Sequence, residues 1–168
     1  MKIRIILWPI LLFASLSCSD QKKIIVTSPD GNLKFTLISE FDKANDGWPA
    51  FILEAGNKKL LLPSFIQLNT EINFKENDFD VLKIENESVN NKWLNNFGER
   101  KEVPDNYNQV KIFMANNDLR FNMICRAYNE GVAFAWEFPE QNGMDSLTIK
   151  DEKITFSFLS DHFAWSAA

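Results

Sequence analysis

The sequence predicts an all-β fold, an antiparallel β-sandwich, and three observations carry that expectation. Beyond the N-terminal segment the apolar side chains recur at every second position, the period of a strand with one buried face. The apolar runs are short and are broken by Gly, Asn, Asp and Pro, the residues that set turn geometry. The chain carries 15 Phe and 5 Trp in 168 residues, bulky rings suited to the space between two sheets. Roughly eight or nine strands at this spacing favour a sandwich over a small closed barrel.

Leu33, Phe35 and Leu37 form the first alternating set, entered through Ser28-Pro29-Asp30-Gly31, a turn in which Pro fixes φ and Gly accepts φ > 0. Residues 50–55 and 59–62 flank Gly56-Asn57 and read as a hairpin. Ile66, Leu68, Thr70, Ile72 and Phe74 alternate again. Residues 85–108 are the least regular part and read as a long loop. Val110, Ile112 and Met114 precede Leu119, Phe121, Met123 and Cys125, with Asn116-Asn117-Asp118 as the turn between them. In Arg126–Gln141 the alternation is most regular: Val132, Phe134, Trp136 and Phe138 point one way, Ala133, Ala135 and Glu137 the other. Ile154, Phe156 and Phe158 make the last set. No repeat, low-complexity tract or interdomain linker interrupts this order.

The N-terminus has a different character. Lys2 and Arg4 precede a mostly apolar run from Ile5 to Leu16, too short to span a bilayer, which takes about 20 residues, and of the length of a secretion signal. Ala14-Ser15-Leu16-Ser17-Cys18 then resembles a bacterial lipobox, departing from it in having Ser15 where leucine is usual. The expectation is a signal segment at 1–17, lipidation at Cys18, a tether at 18–23 and the sandwich at 24–168. The alternatives are soluble export with an incidental Cys18, or a buried N-terminal helix. Removing Lys2 and Arg4 takes the basic residues from 18 to 16 against 23 acids, a net charge of −7. An acidic chain without a basic cluster excludes nucleic acid as a natural partner, since phosphate contacts need Lys and Arg. With Cys18 lipidated, Cys125 has no disulfide partner and reads as a buried, inert thiol. One remaining cysteine and His162 cannot frame a metal site.

Catalytic constellations are sparse. There is no Gly-x-Ser-x-Gly elbow and no phosphate loop. Asp161-His162 lacks a nucleophile and reads as a strand-end pair. Asp42-Lys43-Ala44-Asn45-Asp46-Gly47 carries oxygen ligands, but its spacing misses the calcium-loop pattern and reads as a polar turn. The sequon Asn86-Glu87-Ser88 matters only in a eukaryotic secretory pathway. The segment from Trp93 to Lys101 sets an aromatic plane beside Glu99, Arg100 and Asn side chains, the mixture that sugar binding uses; because aromatic residues are more often core than site, the residues themselves favour Trp93 in the core and Glu99 paired with a nearby base.

Several segments in register resemble the N-terminal domain of glycoside hydrolase family 97: Trp93 with FGERKEVPDNYNQV, then LRFNMICRAYNEGVAFAWEFP, then DEKITFSFLSDHFAW, with TSPDGNLKFTL and LLLPS as opening strands. The likeness runs from about Ile24 to Trp165. It implies a β-super-sandwich of galactose-mutarotase type, incomplete at the C-terminus because its final strands would follow Phe163-Ala164-Trp165. It also implies an exported enzyme, periplasmic or outer-membrane, acting on α-glucosides or α-galactosides, whose catalytic (β/α)8 barrel, calcium ion and paired carboxylates lie beyond this chain. No catalytic, cofactor or metal residue therefore carries over. Ala135 departs from the family, which commonly has Arg before the aromatic residue here at Trp136. The residues expected to face carbohydrate or the barrel are Trp93, Glu99, Arg100, Tyr107, Arg126, Tyr128 and Glu130. The expected partners are an α-linked oligosaccharide or the missing barrel, with membrane contact only through a lipid anchor. A free-standing carbohydrate-binding or structural envelope lipoprotein is the competing expectation.

Overall fold

A computed structural model describes residues 23–38, 48–72, 79–116, 119–161 and 163. The signal segment, Cys18, the 42–47 turn, Phe74, Asn117-Asp118 and His162 lie outside the described residues. Nine strands are present among them: β1 (Lys23–Thr27), β2 (Leu33–Ile38), β3 (Ala50–Ala55), β4 (Lys58–Thr70), β5 (Asp80–Leu94), β6 (Glu102–Asn116), β7 (Leu119–Ala127), β8 (Val132–Glu137) and β9 (Ile149–Ile154). They form two antiparallel sheets, β1-β2-β3-β4-β9 and β5-β6-β7-β8, which is the expected sandwich.

The core lies between the sheets, on the alternate positions that the sequence marks as apolar. Phe35, Leu37, Phe51, Ile66 and Leu68 of the first sheet are buried with Val110, Ile112, Met114, Phe121, Met123 and Cys125 of the second. Phe51 bridges the layers, 6.2 Å from Phe134; within the layers Phe51 stacks on Phe35 at 5.5 Å and Phe121 meets Phe79 edge-on at 5.4 Å. Val132, Phe134, Trp136 and Phe138 pack on this core as their alternation requires. Cys125 is buried, and burial pushes its thiol up to about 12. The β3–β4 hairpin turns on Gly56-Asn57, with Gly56 at φ 55°, as a two-residue turn matched to strand twist demands.

Three expectations are corrected. Residues 85–108 are not a long loop: β5 and β6 pair continuously from Glu85↔Lys111 to Leu94↔Glu102, and only residues 95–101 are loop. The strands escape sequence patterning because most of β5 is exposed and polar on both faces, so no period-2 signal arises. Pro104 also argues against a strand, yet β7 pairs with β6 only as far as Asn108↔Ala127, leaving the outer edge of β6 free where Pro104 sits. The last apolar set is the second correction. β9 ends at Ile154, and the following segment follows β4 through irregular bonds, Thr155 N–H to the Phe65 carbonyl at 2.9 Å and Leu62 N–H to the Ser157 carbonyl at 2.8 Å. Phe156 and Phe158 are consequently half-exposed, Phe156 meeting the Phe51 ring edge-on at 6.2 Å and Phe158 bridging to Leu61. Third, β4 stops at Thr70, whose hydroxyl donates to the Ile72 carbonyl at 2.7 Å and turns the chain.

Candidate functional site

Strand register places three of the expected site residues together. On β6 the even-numbered positions from 108 to 114 face the core, so Tyr107 and Gln109 lie on the opposite, outer face of the second sheet. Gln109 is opposite Arg126 on β7 and opposite Glu87 on β5; Tyr107 is opposite Val89. The Arg126 guanidinium lies 4.3 Å above the Tyr107 ring, a stacked cation–π contact. Its Nε donates to Gln109 Oε1 at 2.7 Å, and Gln109 Nε2 donates to Glu87 Oε2 at 3.2 Å. Tyr128, just past β7, tilts against Tyr107 at 5.2 Å and donates its hydroxyl to Asp105 Oδ1 at 3.4 Å.

Arg126 and Tyr128 cover Tyr107 so well that it is only 6% exposed although it points away from the core. Burial raises the Tyr107 phenol above its ordinary value; the nearby Arg126 charge opposes this, while Asp105, Glu87 and Tyr128 reinforce it. A phenol held neutral, a guanidinium spread over it and flanking carboxylates can bind hydroxyls or a complementary protein surface. They do not make a general acid–base pair, which needs groups poised near the working pH.

The other expected residues are placed elsewhere. Trp93 is on the same outer face as Val89 and Tyr107, four residues further along β5 and opposite Val103. It is 50% exposed, which corrects the favoured reading of the segment, in which Trp93 lay in the core. Glu99 and Arg100 are exposed in the loop at 95–101, and Glu99 joins no ion pair among the described residues. Glu130 is exposed in the turn closed by Tyr128 N–H to the Gly131 carbonyl at 2.8 Å. Its neighbour Asn129 accepts the Asp30 N–H at 3.1 Å, tying this turn to the one between β1 and β2. Sequence reasoning missed Gln109, Asp105 and Glu87, which acquire a role only through the β5–β6–β7 register.

The remaining outer face is charge-paired. Glu137 bonds Lys111 and the Asn122 amide, which together hold its carboxyl below the usual range, and Lys34 does the same for Glu54 across β2 and β3. Among the described residues no three His, Cys, Asp or Glu side chains come together as a metal ion would need. They offer no ligand set for the calcium that the resemblance associates with the family.

A family model described as "Glycosyl-hydrolase 97 N-terminal" matches residues 26–168. The chain belongs to glycoside hydrolase family 97, as an N-terminal domain. A family 97 enzyme from Pseudoalteromonas sp. strain K8 in complex with acarbose is 26% identical with a TM-score of 0.69; the match covers 81% of this chain and 20% of that one. A variant of that enzyme in complex with panose matches equally well. The fold is also similar to that of a β-arabinopyranosidase, at 23% identity and TM-score 0.70 over 80% of this chain and 21% of that one. This family 97 domain thus spans about a fifth of the length of the solved relatives it matches.

Proposed function

We infer that this chain is the non-catalytic sandwich module of an exported family 97 α-glycosidase and that it holds the catalytic portion in place. The observation that carries the reading is a run of exposed apolar side chains. Ile149, Phe156, Phe158, Leu159 and Phe163 are each at least half-exposed and all follow β8 in sequence, although Phe156 also meets the Phe51 ring edge-on at 6.2 Å. Among the described residues β8 and β9 are themselves sheet edges. Large exposed apolar patches and open strand edges invite aggregation, and working proteins cover them.

In this reading the catalytic portion supplies the two carboxyl groups that glycoside hydrolysis requires, together with calcium, and the substrate is an α-linked oligosaccharide, an α-glucoside or α-galactoside. Export and lipidation at Cys18 place the enzyme in the periplasm or at the outer membrane. The purified chain is expected to show no turnover of nitrophenyl α-glucoside or α-galactoside; measurable hydrolysis by the pure chain overturns the reading. Cys18→Ala is expected to move the protein from the membrane to the soluble fraction.

A second reading, carbohydrate binding by the isolated module, is favoured by one observation: Trp93 is half-exposed on the same face as Tyr107, Arg126 and Tyr128. Calorimetry with millimolar maltooligosaccharide tests it. Heat that disappears in Trp93→Ala supports binding, and a flat titration removes it.

A further inference from the structure

Beyond the Asn108↔Ala127 rung, β5 and β6 continue with no strand on either side among the described residues, from Val89↔Tyr107 to Leu94↔Glu102. Those six rungs make an arm of about 20 Å at roughly 3.4 Å per residue. A two-stranded ribbon alone is marginal in water, yet the end of this one is tightly closed. Asn95 N–H donates to the Lys101 carbonyl at 2.8 Å, and the Asn95 side-chain oxygen accepts the Phe97 N–H at 3.2 Å. Gly98 has φ +140°, and a Cβ there would lie 2.8 Å from Asn95 Nδ2. This bonding fixes a turn that presents Phe97 outward, 90% exposed; Trp93 and Leu94, also exposed, end the strand before it on opposite faces of the ribbon. Arg100 and Lys101 are exposed next to it and join no ion pair among the described residues, in a chain of net charge −5.

We propose that the β5–β6 arm is a docking finger whose Phe97, with Trp93 and Leu94 on the two faces of the ribbon behind it, seats in an apolar pocket rimmed by carboxylates on the remaining polypeptide of the family 97 enzyme. This rests on the support role inferred above and adds a second contact, at the far end of β5–β6, to the surface around β8 and β9. The solved relatives are about five times as long as the matched region, so a partner surface within one chain is present at high effective concentration. The pocket is apolar because Phe97 and Leu94 gain by leaving water, and its rim is acidic because Arg100 and Lys101 lack carboxylate partners.

The test places a photo-crosslinking benzoylphenylalanine at position 97, and separately at position 158, in the producing bacterium, and identifies crosslinked peptides by mass spectrometry. The expected result is crosslinks from both positions to family 97 catalytic sequence, with the position-97 crosslink lost when Leu94→Asp and Arg100→Glu are added. If position 158 reaches catalytic sequence and position 97 does not, the finger is refuted and the support role stands. If neither does, the support role fails and the finger with it. Crosslinks from position 97 to a second copy of this chain, to lipid or to an unrelated protein also refute the finger. Phe97 is so exposed that the replacement does not disturb folding, so a missing crosslink is informative.

Discussion

Truncating Phe121 to Ala should make the thiol of Cys125 about a thousandfold easier to reach. Phe121 is 1% exposed and touches rings from three directions: Phe79 at 5.4 Å, Trp136 at 5.9 Å and Phe138 at 6.1 Å. Emptying a buried Phe site costs about 3–5 kcal/mol, and three lost ring contacts put this site in the middle of that range or above. Cys125 lies four residues on, on the same buried face of β7. With its thiol pushed from 9.0 to about 12, the thiolate fraction at pH 8 is about 10⁻⁴, against about 10⁻¹ in the open chain. Cys125 is also only 1% exposed, out of reach of a reagent in the closed fold, so labelling by a disulfide reagent reads the fraction of molecules that have opened. A loss of about 4 kcal/mol raises that fraction by roughly 10³. The assay uses a Cys18→Ala form, so that Cys125 is the sole thiol, and follows labelling at pH 8 in native buffer and in urea. Native labelling at the free-thiol rate, or a rise under tenfold in Phe121→Ala, would refute the placement of Cys125 and Phe121 in one cooperative core.

Four further outcomes follow from the same geometry. Gly98→Ala should loosen the arm tip by about 1–3 kcal/mol through strain at positive φ, seen as faster amide exchange at 93–103 with unchanged exchange at 110–125; a matching loss across the core contradicts the arm's independence. Arg126→Met should cost about 1–2 kcal/mol by removing the guanidinium stack and the Nε bond to Gln109. Arg126→Lys should not restore it, since an ammonium cannot lie flat on Tyr107 and bond Gln109 together; both are read by urea denaturation. Asp30, Glu54 and Glu137 have carboxyls held below their ordinary values by the Ser28 hydroxyl, Lys34 and Lys111 respectively. Their contribution is present above the unfolded carboxylate range and is lost as pH falls through the folded values, so melting temperature should hold near neutrality and drop below about pH 4.5.

The parts of the fold legible in sequence are those where one sheet face is buried. β2, the β3–β4 hairpin, β7 and β8 all show the alternation that burial imposes, and all are where that alternation places them. β5 and the start of β6 were invisible because most of their side chains are exposed on both faces: Asn90, Asn91, Lys92 and Asn106 set no apolar alternation, and Pro104 suits an unpaired edge. The outer-face cluster was half legible. Tyr107, Arg126 and Tyr128 stand out as unusual residues near turns, but Gln109 and Glu87 look ordinary until register brings them opposite one another. Contacts across 17 to 22 residues, such as Arg126–Gln109 and Gln109–Glu87, are properties of pairing, and composition does not encode them.

The distribution of exposed apolar side chains argues that two surfaces are meant to be covered, and not that the sandwich is poorly made. Elsewhere the outer faces are finished with care: Lys34 faces Glu54, Lys83 faces Glu85, Lys111 bridges to Glu137, and Ala133 and Ala135 keep the face of β8 flat. Ile25, Leu60 and Leu82 are single exposed residues of the kind every protein surface carries. Against that background Phe156, Phe158, Leu159 and Phe163 follow one another closely after β9, and Trp93, Leu94 and Phe97 fall within five residues at the end of the arm. The arm tip is also bonded into one shape by Asn95, so its aromatic face is presented and not merely left over. A free-standing module would need neither surface; a domain that braces a larger enzyme would need both.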